Sequence, residues 1–161
     1  MVLIRKNLSF GENRREMVHI WKVYSRSVLE QSAVLWQGAL TQENRDTLER
    51  TQKTFAKLIL KRKYKSYEQS LQVLDLPTLD TRRNQLTLNF AKKCIENKKM
   101  AYLFPLKEKK HDYRIRKTQK YQIQFANTER LKKSPIIFMQ TLLNKEENMK
   151  HVAPLPLLSH G

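Results

Sequence analysis

Apolar side chains recur along the chain at helical spacing. Between residues 14 and 36, Met17, Trp21, Tyr24, Val28 and Leu35 fall within roughly 60° of one another at about 100° per residue, which predicts an amphipathic helix with one buried stripe. After Gly38, Thr41 is placed as an N-cap with Glu43 in the first turn, where a carboxylate meets the positive end of the helix dipole. A second helix is expected from there to about Lys61. Leu48, Phe55, Leu58 and Ile59 gather on its packing side, and Arg50, Lys53, Lys57 and Lys61 on roughly the opposite side. Ser66 and Gln69 have the spacing of a capping box and open a short helix to about Leu74, which Pro77 ends. Thr78 can then cap a fourth helix from Leu79 to about Lys98, with Leu79, Leu86, Phe90 and Cys94 on one stripe and Leu88, Ala91 and Ile95 widening it.

Helical periodicity stops at Phe104-Pro105. From Lys107 to Lys133 basic residues dominate over Glu108, Asp112 and Glu129, and the segment reads as an extended arm. The alternation of Tyr121, Ile123 and Phe125 has strand spacing, but a lone strand needs a partner. Ser134-Pro135 reads as N-cap and first turn of a last helix to about Asn144, with Ile136, Ile137, Met139, Leu142 and Leu143 apolar. The expected class is all-α: an N-terminal lead over 1–13, a four-helix bundle-like domain over 14–98, a basic arm over 99–133, a short C-terminal helix over 134–144 and an unstructured tail over 145–161.

Composition sharpens this picture. Lys and Arg total 32 against 15 Asp and Glu, a formal charge of +17, and a field of that size favours polyanions. The three glycines, Gly11, Gly38 and Gly161, are too few for turn-rich sheets or Gly-rich phosphate loops. The single cysteine, Cys94, excludes an internal disulfide and fits a reducing compartment. The apolar run in MVLIRKNLSF is too short for a signal peptide, and no stretch approaches the roughly 18 apolar residues of a membrane span. The expected protein is soluble and intracellular, with nucleus or cytoplasm left open.

The inventory for chemistry is poor. Two-metal phosphoryl chemistry needs carboxylates that hold ions roughly 4 Å apart, and Asp46, Asp75, Asp80 and Asp112 are scattered. Glu146-Glu147 reads as solvated surface. His19, His111, His151 and His160 lack metal-ligand spacing, and Cys94 sits on an apolar stripe where a core role is expected. Trp21 and Trp36 read as core. No catalytic residue, metal or cofactor is expected, so the chain is read as a non-enzyme.

The cations carry the functional expectation. Helix-dipole preference accounts for their place late in the second helix, but not for their continuation through Arg62, Lys63 and Lys65 or for the excess at Lys109, Lys110, Arg114, Arg116, Lys117 and Lys120. Together with Arg50, Lys53, Lys57 and Lys61 these are the candidate nucleic-acid contacts, reading charge and shape rather than base sequence. RNA, DNA or their hybrid all remain candidates as the partner, and a membrane is not expected. The alternative is a protein-interaction module with exposed apolar faces.

Several strings also resemble the segment that follows the polymerase palm in jockey-like non-LTR retrotransposon reverse transcriptases. They include Phe10-Gly11, the run from Arg26 to Trp36, Leu40-Thr41-Gln42-Glu43-Asn44 and Leu48-Glu49-Arg50-Thr51-Gln52-Lys53. Later come Tyr64-Lys65-Ser66-Tyr67, Leu79-Asp80-Thr81-Arg82-Arg83, Phe90-Ala91-Lys92-Lys93-Cys94, Leu103-Phe104-Pro105, the run from Ala126 to Leu131, Ser134, and the run from Met139 to Asn144. The resemblance covers about residues 10 to 144 and departs from the pattern at Pro135-Ile136-Ile137, where related sequences place the proline later. It implies a thumb and post-thumb fragment that grips template-primer duplex. It also implies that the paired aspartates and the endonuclease belong to parts this chain lacks. An isolated fragment would further expose apolar faces that once met the palm.

Overall fold

The computed structural model describes residues 13–107 and 119–152. The segments 1–12, 108–118 and 153–161 lie outside the described residues, and with them most of the expected lead, the middle of the basic arm and the end of the tail. Among the described residues the chain is helical and has no named strand, in agreement with the all-α expectation. The contacts divide it into two compact units, Met1–Leu86 and Thr87–Gly161.

In the first unit the expected single helix over 14–36 is broken. It begins as α1, Arg14–Ile20, whose N-terminus is closed by Asn13 and by Glu16 reaching back to the Asn13 amide at 3.3 Å. A wide π-turn, Trp21–Ser25, follows, in which the Arg26 amide donates to the Trp21 carbonyl, and α2, Arg26–Glu30, continues from it. At Ser32 the backbone turns left-handed (φ 54°), and α3, Ala33–Trp36, starts in a new direction. The Trp36 indole donates to the Gln31 carbonyl at 2.9 Å, satisfying the broken end. Met17 and Trp21 are buried, as the periodicity predicts, but Tyr24 (64% exposed), Val28 (69%) and Leu35 (64%) are not. The physical reason is register: the wide turn and the break at Ser32 rotate later residues off the stripe that Met17 and Trp21 define.

The second helix, α4, is Gln42–Leu60, and Thr41 caps it by accepting from the Asn44 amide at 3.3 Å. Phe55 is buried as expected, with Gln52, Ala56 and Leu60 beside it. The third, α5, is Tyr67–Leu74, capped by Ser66, which accepts from the Gln69 amide at 3.2 Å. Its C-terminus closes with Asp75 in the left-handed region (φ 51°), where the Leu76 amide reaches the Leu71 carbonyl at 3.0 Å and the Asp75 amide the Gln72 carbonyl at 3.3 Å. That pair of bonds is a Schellman closure. Met17, Val18, Trp21, Phe55, Ala56, Leu60, Leu74 and Leu76 form one apolar core, and Trp21 stacks on Phe55.

The fourth helix, α6, is Leu79–Glu96, with Thr78 accepting from the Thr81 amide at 3.1 Å. Its buried positions are Leu79, Arg83, Thr87, Ala91 and Cys94, whereas Phe90 is 41% exposed. The buried face is therefore offset from the apolar stripe that the sequence predicts, because two polar side chains occupy it.

The second unit holds the arm's described ends. Leu106 and Tyr121 form an isolated antiparallel bridge, flanked by bonds from the Lys107 amide to the Lys120 carbonyl (2.9 Å) and from the Gln122 amide to the Pro105 carbonyl (2.8 Å). The strand expected at 121–125 reduces to this one bridge, with Phe125 89% exposed. An unforeseen short helix, α7, spans Glu129–Lys132. The last helix, α8, begins at Pro135 as expected but runs to Val152, past the end expected at Asn144. Residues 145–149 contain neither proline nor glycine, and helix formers continue a helix already nucleated. Gln140 and Asn144 are its polar clamps. The Gln140 amide group donates to the Leu103 carbonyl at 2.9 Å, and Asn144 both donates to the Tyr121 carbonyl and accepts from the Tyr121 amide at 2.9 Å.

Candidate nucleic-acid interface

Helix α4 separates its charges by sign as well as by position. Glu49 turns inward, where its carboxylate accepts from the Tyr67 hydroxyl and, at 3.2 Å, from the Leu79 amide at the start of α6. Asp46 accepts from Gln42 at 2.8 Å. Arg50, Lys53 and Lys57 remain exposed on the far side from Phe55, and the 3-10 turn Lys61–Lys63 extends the run with three more exposed cations. Lys65 is exposed as well. Among the described residues none of these seven cations lies within ion-pair distance of a carboxylate, whereas Arg45, Arg82, Lys92 and Lys120 are all paired. Lys57 sets its ammonium 5.5 Å from the centre of the Tyr64 ring, which orients the side chain without neutralising it.

Lys61 has unfavourable backbone geometry. Its φ of 46° and ψ of −120° place a lysine where glycine is the comfortable residue, a conformation that costs on the order of 1–3 kcal/mol for a residue with a Cβ.

The arm residues Lys109, Lys110, Arg114, Arg116 and Lys117 lie outside the described residues. Lys120 is described and is engaged, 3.5 Å from Glu147 and 5.6 Å from the centre of the Tyr121 ring. Glu146 pairs with Lys92 at 2.7 Å. The adjacent glutamates expected to be plain solvated surface are thus ion-pair partners that fasten the second unit's own elements.

Both tryptophans, read as core, are engaged within the fold. Trp21 is fully buried, and Trp36 is held by its bond to Gln31 and faced by the Arg83 guanidinium at 5.6 Å. Cys94 is buried at 3% exposure, and burial pushes its thiol up, away from the reactive thiolate. Among the described residues no group of His, Cys, Asp and Glu could hold a metal ion, and no helix is long and apolar enough to cross a membrane.

Sequence reasoning missed a buried polar network in the first unit. Arg83 and Gln37 are both fully buried and bonded through Arg83 Nε and Gln37 Oε1 at 2.7 Å, while Gln37 Nε2 donates to Asp80 at 2.8 Å and to Asn84 at 3.1 Å. Arg45 joins by an ion pair to Asp80 and by a bond to the Gln37 carbonyl at 3.0 Å. Burial lowers the Arg83 pKa and the Asp80 carboxylate partly opposes that shift, so the network places a carboxylate beside a buried guanidinium. The one signal was positional: Arg83 falls four residues after Leu79, on the face that must pack.

Set against known proteins, the chain matches no family model, no curated protein and no solved structure. Its function must be argued from its own residues.

Proposed function

We propose that this chain is a non-catalytic nucleic-acid-binding protein, a helical fragment resembling the thumb region of a jockey-like reverse transcriptase, which grips a phosphate backbone through α4 and the turn after it. The observation that carries the reading is the row of unpaired exposed cations, Arg50, Lys53, Lys57, Lys61, Arg62, Lys63 and Lys65, set opposite a packed face. A solvated surface lysine gains nothing from a strained backbone, so a lysine at a glycine-like position supports a use for its charge. The basic residues of the arm are a separate candidate contact. Binding of this kind is salt-dependent and insensitive to sequence.

The test is binding of a labelled duplex and of a scrambled duplex of equal length across a salt series, with heparin as competitor. Equal affinities that fall steeply with salt are expected, and binding that is flat in salt would overturn the reading. In primer-extension assays with magnesium or manganese, no product should track the protein peak.

A second reading rests on Tyr24, Val28 and Leu35, whose exposure leaves apolar surface on the first helices. A protein partner docked there would bind with little dependence on salt.

A further inference from the structure

In the first unit a groove of about 400 Å³ opens between the residues of α1 and the end of α5. Arg15, Val18, His19 and Lys22 fall at helical spacing along one wall, with Arg14 at its start, and Asp75 stands on the other. Val18 and Leu74, 9% and 4% exposed, give the groove an apolar floor. Three permanent cations face one carboxylate, an excess of two positive charges with His19 counted neutral. None of the four is in an ion pair among the described residues. The volume is at the small end of ligand sites, which run from about 300 to 1,000 Å³, and admits one nucleotide rather than a duplex.

Asp75 makes the groove selective. It occupies the left-handed position of a Schellman closure, where glycine is the usual residue. A bare anion site would be served better by that glycine, since a carboxylate repels phosphate. An ionised carboxylate is an acceptor only, and beside a phosphate-binding wall it fits a ligand that carries a hydroxyl donor next to its anion. A ribonucleotide within a strand has that pairing, through its 2′-hydroxyl.

The geometry points to this groove as a single-stranded RNA contact. In it the phosphate lies among Arg15, His19 and Lys22, the sugar lies over Val18 and Leu74, and the 2′-hydroxyl donates to Asp75. The assignment rests on the nucleic-acid-binding reading and adds to it a second site and a preference for RNA over DNA.

The experiment compares fluorescence anisotropy of labelled oligo(rU) and oligo(dU) of equal length, which differ at the 2′ position alone, on the full chain. The native protein should favour the ribo strand by roughly tenfold, the scale of one hydrogen bond to a charged group. Asp75→Gly suits the left-handed backbone, so it should fold normally while bringing the ratio to about one. Arg15→Gln with Lys22→Gln should weaken both strands and reduce the salt slope by about 1.4, two contacts at about 0.7 each. A native ratio near one, or a ratio that survives Asp75→Gly, overturns the groove assignment and leaves the α4 reading standing. Failure of the native chain to bind either strand overturns the groove assignment, and failure to bind the labelled duplex as well overturns the α4 reading.

Discussion

Trp21 lies flat on Phe55, ring centroids 4.5 Å apart and planes 14° from parallel, at the centre of the first unit's core. The stack joins the wide turn after α1 to the middle of α4, so these two segments have a common anchor. Phe55→Ala should destabilise the unit by about 3–5 kcal/mol, a large share of a typical domain's stability of about 5–15 kcal/mol. Chemical denaturation would show the lowered midpoint, and tryptophan emission should move to the red as Trp21 loses its cover. An unchanged midpoint would mean that the stack is peripheral.

The Tyr67–Glu49 bond predicts a response to alkali. Burial, and then the Glu49 carboxylate, raise the Tyr67 hydroxyl well above its ordinary value of 10.0. The folded-state value exceeds the unfolded one, so this stabilisation is fully present below pH about 10 and is lost as pH rises towards the folded value. Tyr67→Phe should cost about 1 kcal/mol near neutral pH and should lose less stability than the native chain between pH about 9 and about 11. Parallel denaturation curves over that window would contradict the assignment.

Reversing Arg50, Lys53, Lys57 and Lys61 to Glu should leave the helical circular dichroism near its native strength, because the three of these on α4 face away from Phe55 and Lys61 lies just beyond the helix end. The slope of log affinity against log salt should flatten by roughly 3 to 4 units, at about 0.9 per contact on duplex DNA and about 0.7 on single strands. A smaller change would move the contact to the arm around Arg114, Arg116, Lys117 and Lys120.

Lys61→Gly should divide stability from function. Relief of the φ of 46° should raise stability by about 1 kcal/mol, while the lost cation lowers duplex affinity and reduces the salt slope by about 0.9. Melting temperature and affinity should thus move in opposite directions. If affinity were unchanged, the strained lysine would have no part in binding.

Much of the fold was legible because its signals are local. Thr41, Ser66 and Thr78 cap the helices that their spacing announces, and Pro135 opens the last one. What escaped was decided by tertiary contact. The left-handed turn at Ser32 has no glycine to mark it, and Arg83 is buried because Gln37, far away in sequence, joins the nearby Asp80 in completing its bonds. The run of α8 past Asn144 likewise accompanies pairs such as Lys92 with Glu146, which periodicity cannot register. For the candidate interface, the sequence located the cations and their face, but the inward turn of Glu49 and the strain at Lys61 are visible in three dimensions alone.

The wide turn at Trp21–Ser25 closes through a bond from Arg26 back to Trp21, and so holds one residue more than an α-turn. Excising a single residue there, such as Tyr24 with its exposed ring, would let the same bond close at ordinary spacing and leave Met17 and Glu30 in their present places. The same excision within Arg14–Ile20 would instead rotate one side of the helix against the other by about 100°. The chain therefore carries slack at one point of its first helix, and a version shorter by one residue between 21 and 25 would build the same core, so that a gap in an alignment there would signal no change of architecture.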